Sequence, residues 1–189
     1  MPKLKKVGAI CGVIVPAVAF TAILTSIVLS PWFSWYSNAL SDLGNYAGSD
    51  VAPIFNTGLL ISGLLTIVFG LGVFRGFENC KIGKVGALIL TAAGIALACI
   101  GIFSEDAGRI HFYVSVAFFS LFPISLLVLG PAMFLRWSQK LGIFSIMIAI
   151  LAALPWAFSW EGVAIPETIS AAFASLWSMI IGIKMLKPG

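Results

Sequence analysis

The sequence predicts an all-α protein, a bundle of six transmembrane helices that forms one domain over residues 1–189. Of its 189 residues, 60% are hydrophobic and only 10% are charged, whereas a soluble domain carries about 25% charged residues. A soluble fold of this length leaves too much of its area in water to hide so many apolar side chains. High hydrophobicity also excludes a disordered chain, so the composition indicates a protein embedded in lipid.

Six apolar stretches define the predicted helices. Each reaches or nearly reaches the ~20 residues that cross about 30 Å of hydrocarbon. Backbone groups within lipid must be paired internally, which favours helices. The first stretch exceeds the roughly 7–15 apolar residues of a signal peptide, so it is predicted to be an uncleaved membrane helix. The predicted helices cover residues 7–30, 52–74, 84–103, 111–134, 141–159 and 167–185.

The basic residues predict the orientation in the cell membrane. With the amino terminus inside, ten of the eleven Lys and Arg residues lie on the inner side, and only Arg109 lies outside. The acids are distributed the opposite way, with Glu78 alone inside. Because Lys and Arg mark cytoplasmic segments, both termini are predicted to be cytoplasmic. The net charge of +4 then follows from orientation, and no nucleic-acid partner is expected.

Charged residues and the histidine are absent from the middle of every predicted helix. Charges within a membrane mark proton relays, ion pathways and voltage sensors, so their absence argues against an ion-coupled transporter or channel. Catalytic zinc typically uses three ligands rich in His or Cys, and this chain has one histidine. Neither a metal nor another cofactor is expected.

Polar residues gather instead at the predicted outer face, beginning with the first loop. Residues 32–44 predict a short interfacial helix, with Ser34 as N-cap and Gly44 as its stop. Its apolar side chains recur at helical spacing, which is typical of a helix lying in the membrane interface. The side chains expected to point together toward the bundle are Asn38, Ser41 and Asp42.

Two further outer loops bring acids and the histidine to the same side. Residues 104–111 hold two acids, the outer basic residue and the only histidine. Glu167 lies in the first turn of the sixth helix, and Asn56 lies about one turn inside the second. We therefore predict a ligand site at the outer mouth of the bundle, formed by Asn38, Ser41, Asp42, Asn56, Glu105, Asp106, His111 and Glu167.

Structural roles are the alternative for several of these side chains. Arg109 with Asp106 and His111 would form a salt bridge that only ties the loop together. His111 would equally be an interface residue satisfied by backbone groups. Glu167 would be favoured at a helix N-terminus by the helix dipole alone.

Three functions fit this pattern. The first is a protein that binds or remodels a lipid or another amphiphile, whose headgroup contacts the outer polar residues. The second is a lipid hydrolase or transferase, with His111 as general acid or base beside Asp106 or Asp42. The third is a structural subunit whose partner, another membrane protein, covers these residues. Membrane lipids are the partners expected from the first two.

Three short motifs carry a family resemblance. They are Ser41-Asp42-Leu43-Gly44, then Pro53–Leu59, then Gly101–Asp106 followed by His111. In this order the chain resembles the prokaryotic membrane family called domain of unknown function 998. The resemblance covers nearly the whole chain and implies a six-helix membrane protein without an assigned activity. Ser104 stands where the family pattern has a proline before the acids.

A more remote similarity is to the eukaryotic membrane family of GPI-anchor remodelling and autophagy-modulating proteins. Those proteins also pair a Ser-Asp-x-Gly loop with a histidine that begins a later helix, as Ser41–Gly44 and His111 do here. The similarity implies contact with lipid headgroups in the outer leaflet, by analogy only.

Overall fold

The computed structural model describes residues 3–187. Within them, six helices are long and apolar enough to cross a membrane, which confirms the predicted fold class. They are Lys3–Val28 (α1), Ala52–Gly76 (α2), Lys81–Ile102 (α3), Arg109–Arg136 (α4), Gln139–Ala153 (α5) and Ala164–Leu186 (α6). The fifth span consists of α5 together with the 3-10 helix that continues it to Ala157. Short 3-10 helices lie in the connections, at Leu40–Gly44, Glu105–Ala107 and Leu154–Ala157.

The observed helices differ from the predicted ones at their ends. α1 begins at Lys3 and ends at Val28, whereas residues 7–30 were expected. α5 ends at Ala153 rather than at residue 159. Pro155 explains this end, because proline lacks an N–H donor and disfavours the helical conformation of the residue before it. The span then continues as a 3-10 helix.

The short helix in the first loop is present but covers only Leu40–Gly44, not the whole of residues 32–44. The Asn38 side chain accepts a hydrogen bond of 2.9 Å from the Ser34 N–H group, and the Asp42 carboxylate accepts one of 3.0 Å from Ala39 N–H. Such bonds from side chain to backbone compete with helical ones. Residues 34–39 therefore form turns and extended backbone, and the expected long apolar face is absent.

The bundle has two chemically different ends. Six of the seven acids lie at the end formed by residues 29–51, 103–108 and 154–167, which we call the acidic end. The opposite end holds the connections 77–80 and 137–138 and ten of the eleven basic residues, and we call it the basic end. The structure thus separates the charges along the bundle axis as the sequence predicts.

The helices are arranged in a ring. Each packs on the next in chain order, and α6 returns to pack on α1, while the contact of α5 with α6 is smaller. Small residues form the closest approaches: Gly8 lies against Gly72 of α2, and Gly182 lies against Ala9 of α1. Small side chains let helix backbones approach closely where there is no hydrophobic driving force between them.

Trp177 packs inside the ring and is fully buried. Its ring packs edge-on against Phe69 of α2 and Phe122 of α4, at centroid distances of 5.7 and 6.1 Å. Its indole N–H donates a hydrogen bond of 2.9 Å to Ser145 Oγ of α5. This one side chain joins four helices and satisfies its own donor in the buried interior.

Replacing Gly63 by alanine is expected to lower the unfolding temperature of the detergent-solubilised protein. A Cβ atom there would lie 2.6 Å from the Ala98 Cα atom, so α2 and α3 would have to separate. Overpacking costs about 1–3 kcal/mol, which outweighs the gain of roughly 1 kcal/mol in helix propensity.

The matched control is Gly48→Ala, because the nearest atom to a Cβ there is Asn45 Oδ1 at 3.7 Å. Its unfolding temperature should stay near that of the unmodified protein. A Gly63→Ala protein as stable as this control would contradict the close packing of α2 on α3.

Candidate functional site

A groove separates α4 from α5 in the half of the bundle nearer the acidic end. Nearer the basic end the two helices touch, where Gly130 lies against Gly142. Toward the acidic end they enclose a groove of about 1000 Å³. Its walls are apolar and open sideways, as the exposed fractions of Phe112 (62%) and Ile150 (56%) show. The groove therefore faces outward from the bundle.

A second space lies inside the ring. This interior cavity has a volume of about 90 Å³ and is lined mainly by apolar side chains of α1, α2, α3, α4 and α6. The groove and the interior cavity meet near the acidic end, because five residues line both of them. We call this set the junction: Ser41, His111, Ser115, Phe119 and Glu167.

His111 occupies the first turn of α4 and is only 7% exposed. Its Nδ1 atom lies 2.7 Å from the carbonyl oxygen of Phe103. Since a carbonyl oxygen only accepts hydrogen bonds, Nδ1 carries the proton and donates it. In the neutral ring, Nε2 is then an acceptor, and it has no partner among residues 3–187. The hydrogen bond places a proton on Nδ1 of His111, and in the neutral ring this leaves Nε2 as an acceptor at the junction.

Glu167 lies in the first turn of α6 and is only 8% exposed. Its Oε2 atom accepts a hydrogen bond of 2.6 Å from the Leu40 N–H group, which joins α6 to the first loop. In the part of the chain that the structure describes, its other oxygen, Oε1, has no hydrogen-bond partner. Glu167 is therefore more than a helix cap, because it seats the loop and presents an acceptor to the junction.

Asp42 is held by its own loop. One of its oxygens, Oδ2, accepts hydrogen bonds from the Asn38 amide group at 2.6 Å and from Ala39 N–H at 3.0 Å. Its carboxyl group also lies next to that of Glu105. Asn38 is thus used to shape the loop, while Asp42 contributes negative charge beside the junction.

Glu105 lines the groove from the second loop. Burial, followed by the neighbouring Asp42 carboxyl, raises the pKa of Glu105 to about 7. The Asn45 amide group donates a hydrogen bond of 3.4 Å to it and acts in the opposite direction. The acids Asp42, Glu105 and Glu167 therefore form a cluster of carboxyl groups that repel one another.

Asp106 has a different role. It is exposed and accepts hydrogen bonds from the backbone N–H groups of Tyr46 at 2.7 Å and Ala47 at 3.2 Å. The bond from Tyr46 is the main cause that lowers the pKa of Asp106 below its ordinary value. These bonds pin the second loop to the first one. The sequence alternative was a salt bridge of Arg109 with Asp106 and His111 that ties the second loop together. In the structure, Asp106 instead ties that loop to the first one through backbone N–H groups.

Asn56 is buried and lines neither space. Its amide group donates a hydrogen bond of 2.8 Å to the carbonyl oxygen of Gly44. A Cβ atom at Gly44 would lie 2.5 Å from Asn56 Oδ1, so a side chain at position 44 would clash with Asn56. Asn56 seats the end of the first loop's short helix on α2.

Of the eight residues predicted to form the site, five lie at or beside the junction, and they are Ser41, Asp42, Glu105, His111 and Glu167. The other three, Asn38, Asn56 and Asp106, hold loops together. The imidazole of His111 is oriented by a backbone carbonyl group, not by the carboxylates of Asp42 or Asp106 that the enzyme hypothesis uses. Within residues 3–187, no three His, Cys, Asp or Glu side chains are grouped to hold a metal ion.

Sequence reasoning missed the groove between α4 and α5. Its existence depends on how far two helices diverge, which no single residue encodes. The only signal is that α5 presents small side chains there, Ala149 and Ala153, opposite Ser120 of α4.

The stability of the protein is expected to fall as the pH rises from about 4.5 to about 7, in part through Glu105. Between its ordinary pKa of 4.5 and its folded pKa near 7, Glu105 holds its proton more in the folded than in the unfolded state. Folding therefore binds protons in this window, and raising the pH through it removes stability. Unfolding temperatures measured on both sides of the window check this.

Glu105→Gln should reduce the pH dependence, since glutamine resembles the protonated acid. The control is Glu161→Gln, a substitution of the same kind at an exposed position of the acidic end. The lowered pKa of Asp106 affects the pH dependence of stability only below its ordinary value of 3.8, which is outside this window. An unchanged pH profile in Glu105→Gln would contradict the expected proton uptake at this carboxyl group.

Comparison with known proteins identifies the same family that the three sequence motifs resemble. Residues 13–184 match the family model described as protein of unknown function (DUF998). No curated protein and no solved structure shows a match to the chain. The family match extends from α1 to the last turn of α6 and includes the groove, the interior cavity and the junction. This multi-pass membrane protein belongs to the DUF998 family.

Proposed function

We propose that the protein binds an amphiphile, with the apolar chain in the groove between α4 and α5 and the polar head at the junction. The observation that carries this proposal is the shape of the groove. It is apolar along its walls, opens toward the hydrocarbon and ends at polar side chains. This gradient matches a molecule with a long tail and a polar head.

The size of the groove supports the same ligand class. Binding sites for small organic molecules occupy roughly 300–1,000 Å³ and are mostly apolar with a few polar groups that fix orientation. The groove has about 1000 Å³, enough for one alkyl chain and its head. Aromatic side chains of Phe112 and Trp156 flank its end nearest the junction.

The unpaired polar atoms of the junction also support a ligand. His111 Nε2 and Glu167 Oε1 have no protein partner among the described residues, although both side chains are more than nine-tenths buried. The atoms themselves stay accessible, since Ser26 Oγ is the one fully buried and unpaired side-chain polar atom within residues 3–187. A bound head that donates hydrogen bonds to them would gain on the order of 1 kcal/mol for each bond.

A lipid hydrolase or transferase is the second candidate, and one observation favours it. The bond from Nδ1 to the Phe103 carbonyl group fixes His111 in the tautomer whose Nε2 accepts a proton. That is the form that a general base requires. Ser41 and Ser115 line the same junction, but no hydrogen bond joins either one to His111 among residues 3–187. Binding of an amphiphile involves the same residues but requires no chemical reaction.

We further propose that both termini face the cytoplasm and that the acidic end faces outward in the cell membrane. Ten of eleven basic residues at the basic end support this orientation, because Lys and Arg flank membrane helices on the cytoplasmic side. The ligand head would then lie at the level of the outer leaflet.

Filling the groove is expected to remove the bound amphiphile. In Ala153→Trp, a large side chain replaces a small one on the groove wall. We expect lipid that copurifies with the protein, measured by native mass spectrometry, to fall by about tenfold, which is a loss of about 1.4 kcal/mol in binding. The lost volume is the physical reason.

Ala172→Trp is the matched control, since Ala172 is exposed on α6 and lines neither the groove nor the interior cavity. Its retained lipid should equal that of the unmodified protein. Equal lipid retention in both variants would count against occupancy of the groove.

Sidedness is tested with single cysteines in a chain whose Cys11, Cys80 and Cys99 are replaced. Ala47→Cys and Asn79→Cys place exposed thiols at opposite ends of α2. A maleimide that does not cross membranes should label residue 47 in intact cells and residue 79 only after permeabilisation. The reverse labelling pattern would place the acidic end in the cytoplasm.

A further inference from the structure

We infer that the head bound at the junction carries a primary ammonium group, so that the ligand is a long-chain amphiphile with a free amino head. This inference rests on the proposed binding of an amphiphile and adds the chemistry of its head. Two properties of the junction point to it, the kind of hydrogen bond left unmade there and the sign of the charge.

Two unpartnered atoms at the junction can accept hydrogen bonds. In the neutral ring of His111, Nε2 accepts, because Nδ1 carries the proton and donates it to the Phe103 carbonyl oxygen. Once ionised, the Glu167 carboxylate offers only lone pairs, so Oε1 accepts as well. Neither atom has a partner within residues 3–187, and both side chains are more than nine-tenths buried. A head that donates two hydrogen bonds would satisfy both atoms.

The charge at the junction is negative. Three carboxyl groups from three different elements lie close together, those of Asp42, Glu105 and Glu167. The nearest basic residue in the sequence, Arg109, is exposed, and the other basic residues are at the opposite end of the bundle. A cationic head compensates this charge, whereas an anionic head adds to the repulsion.

Of the primary ammonium, trimethylammonium, phosphate and hydroxyl heads, only the primary ammonium satisfies both requirements. A primary ammonium has three N–H donors and a positive charge. A trimethylammonium head has the charge but no donor, and a phosphate head has the wrong charge. A hydroxyl head donates only one hydrogen bond and is neutral. Hydrogen bonds between ionised partners are also the stronger kind.

The experiment uses four photoreactive probes that share one hexadecyl chain and differ in their heads, which are primary amine, trimethylammonium, phosphate and hydroxyl. The full-length protein is placed in phosphatidylcholine nanodiscs, whose lipid has no primary amine. Crosslinks within residues 112–127 and 149–154 are quantified by mass spectrometry. We expect the amine probe to label these residues about tenfold more than the trimethylammonium and phosphate probes, the factor that one charge-assisted hydrogen bond supplies.

At pH 8, above the pKa of about 7 of Glu105, Glu105→Gln should reduce this preference for the amine, because it removes one carboxylate that lines the groove. The matched control is Asp50→Asn, an exposed acid of the same end that lines neither the groove nor the interior cavity, and its preference should be unchanged. An equal loss in both variants would overturn the inference, since the preference would then reflect general surface charge.

The remaining outcomes separate this inference from the proposed function. Equal labelling of the groove by all four heads would overturn the amine inference while supporting the binding of an amphiphile. If no probe labels the groove of the unmodified protein more than the filled groove of Ala153→Trp, the proposed function itself is contradicted.

Discussion

The hydrogen bond between Glu167 and the Leu40 N–H group is the interaction on which the region around the junction depends. It connects the first turn of α6 to the short helix of the first loop across the acidic end. Glu167 lies in the first turn of α6, where acidic side chains interact favourably with the helix dipole, and from there it also seats a loop. With that loop in position, Ser41 reaches both the groove and the interior cavity.

The tight and open parts of the bundle have a common origin in side-chain size. Where glycines face each other, as Gly130 and Gly142 do, backbones approach and the helices are fixed to one another. Beyond that point α4 carries large side chains such as Phe112, and α5 is joined to α6 by few contacts. The ring is therefore most tightly packed along α1–α3 and leaves a gap next to α5.

Much of the fold follows from the sequence alone. Six spans can be predicted because a membrane helix must be apolar over its whole length. The grouping of the acids with His111 can be predicted because successive loops alternate between the two ends of the bundle. The first loop was less predictable, since Asn38 and Asp42 bond to backbone groups in place of a longer helix. The division of the eight candidate residues into junction residues and loop ties required tertiary contacts, such as the bond from Asn56 to Gly44.

The loops at the acidic end are fastened to each other by backbone hydrogen bonds, from Gly162 to Tyr36 at 2.7 Å and from Ala164 to Asn38 at 2.9 Å. The groove, in contrast, opens to the side. A ligand that arrives sideways is drawn from molecules already dissolved in the bilayer. Occupancy then depends on the mole fraction of that molecule among the lipids of one leaflet, and its concentration in the surrounding water matters only through partitioning.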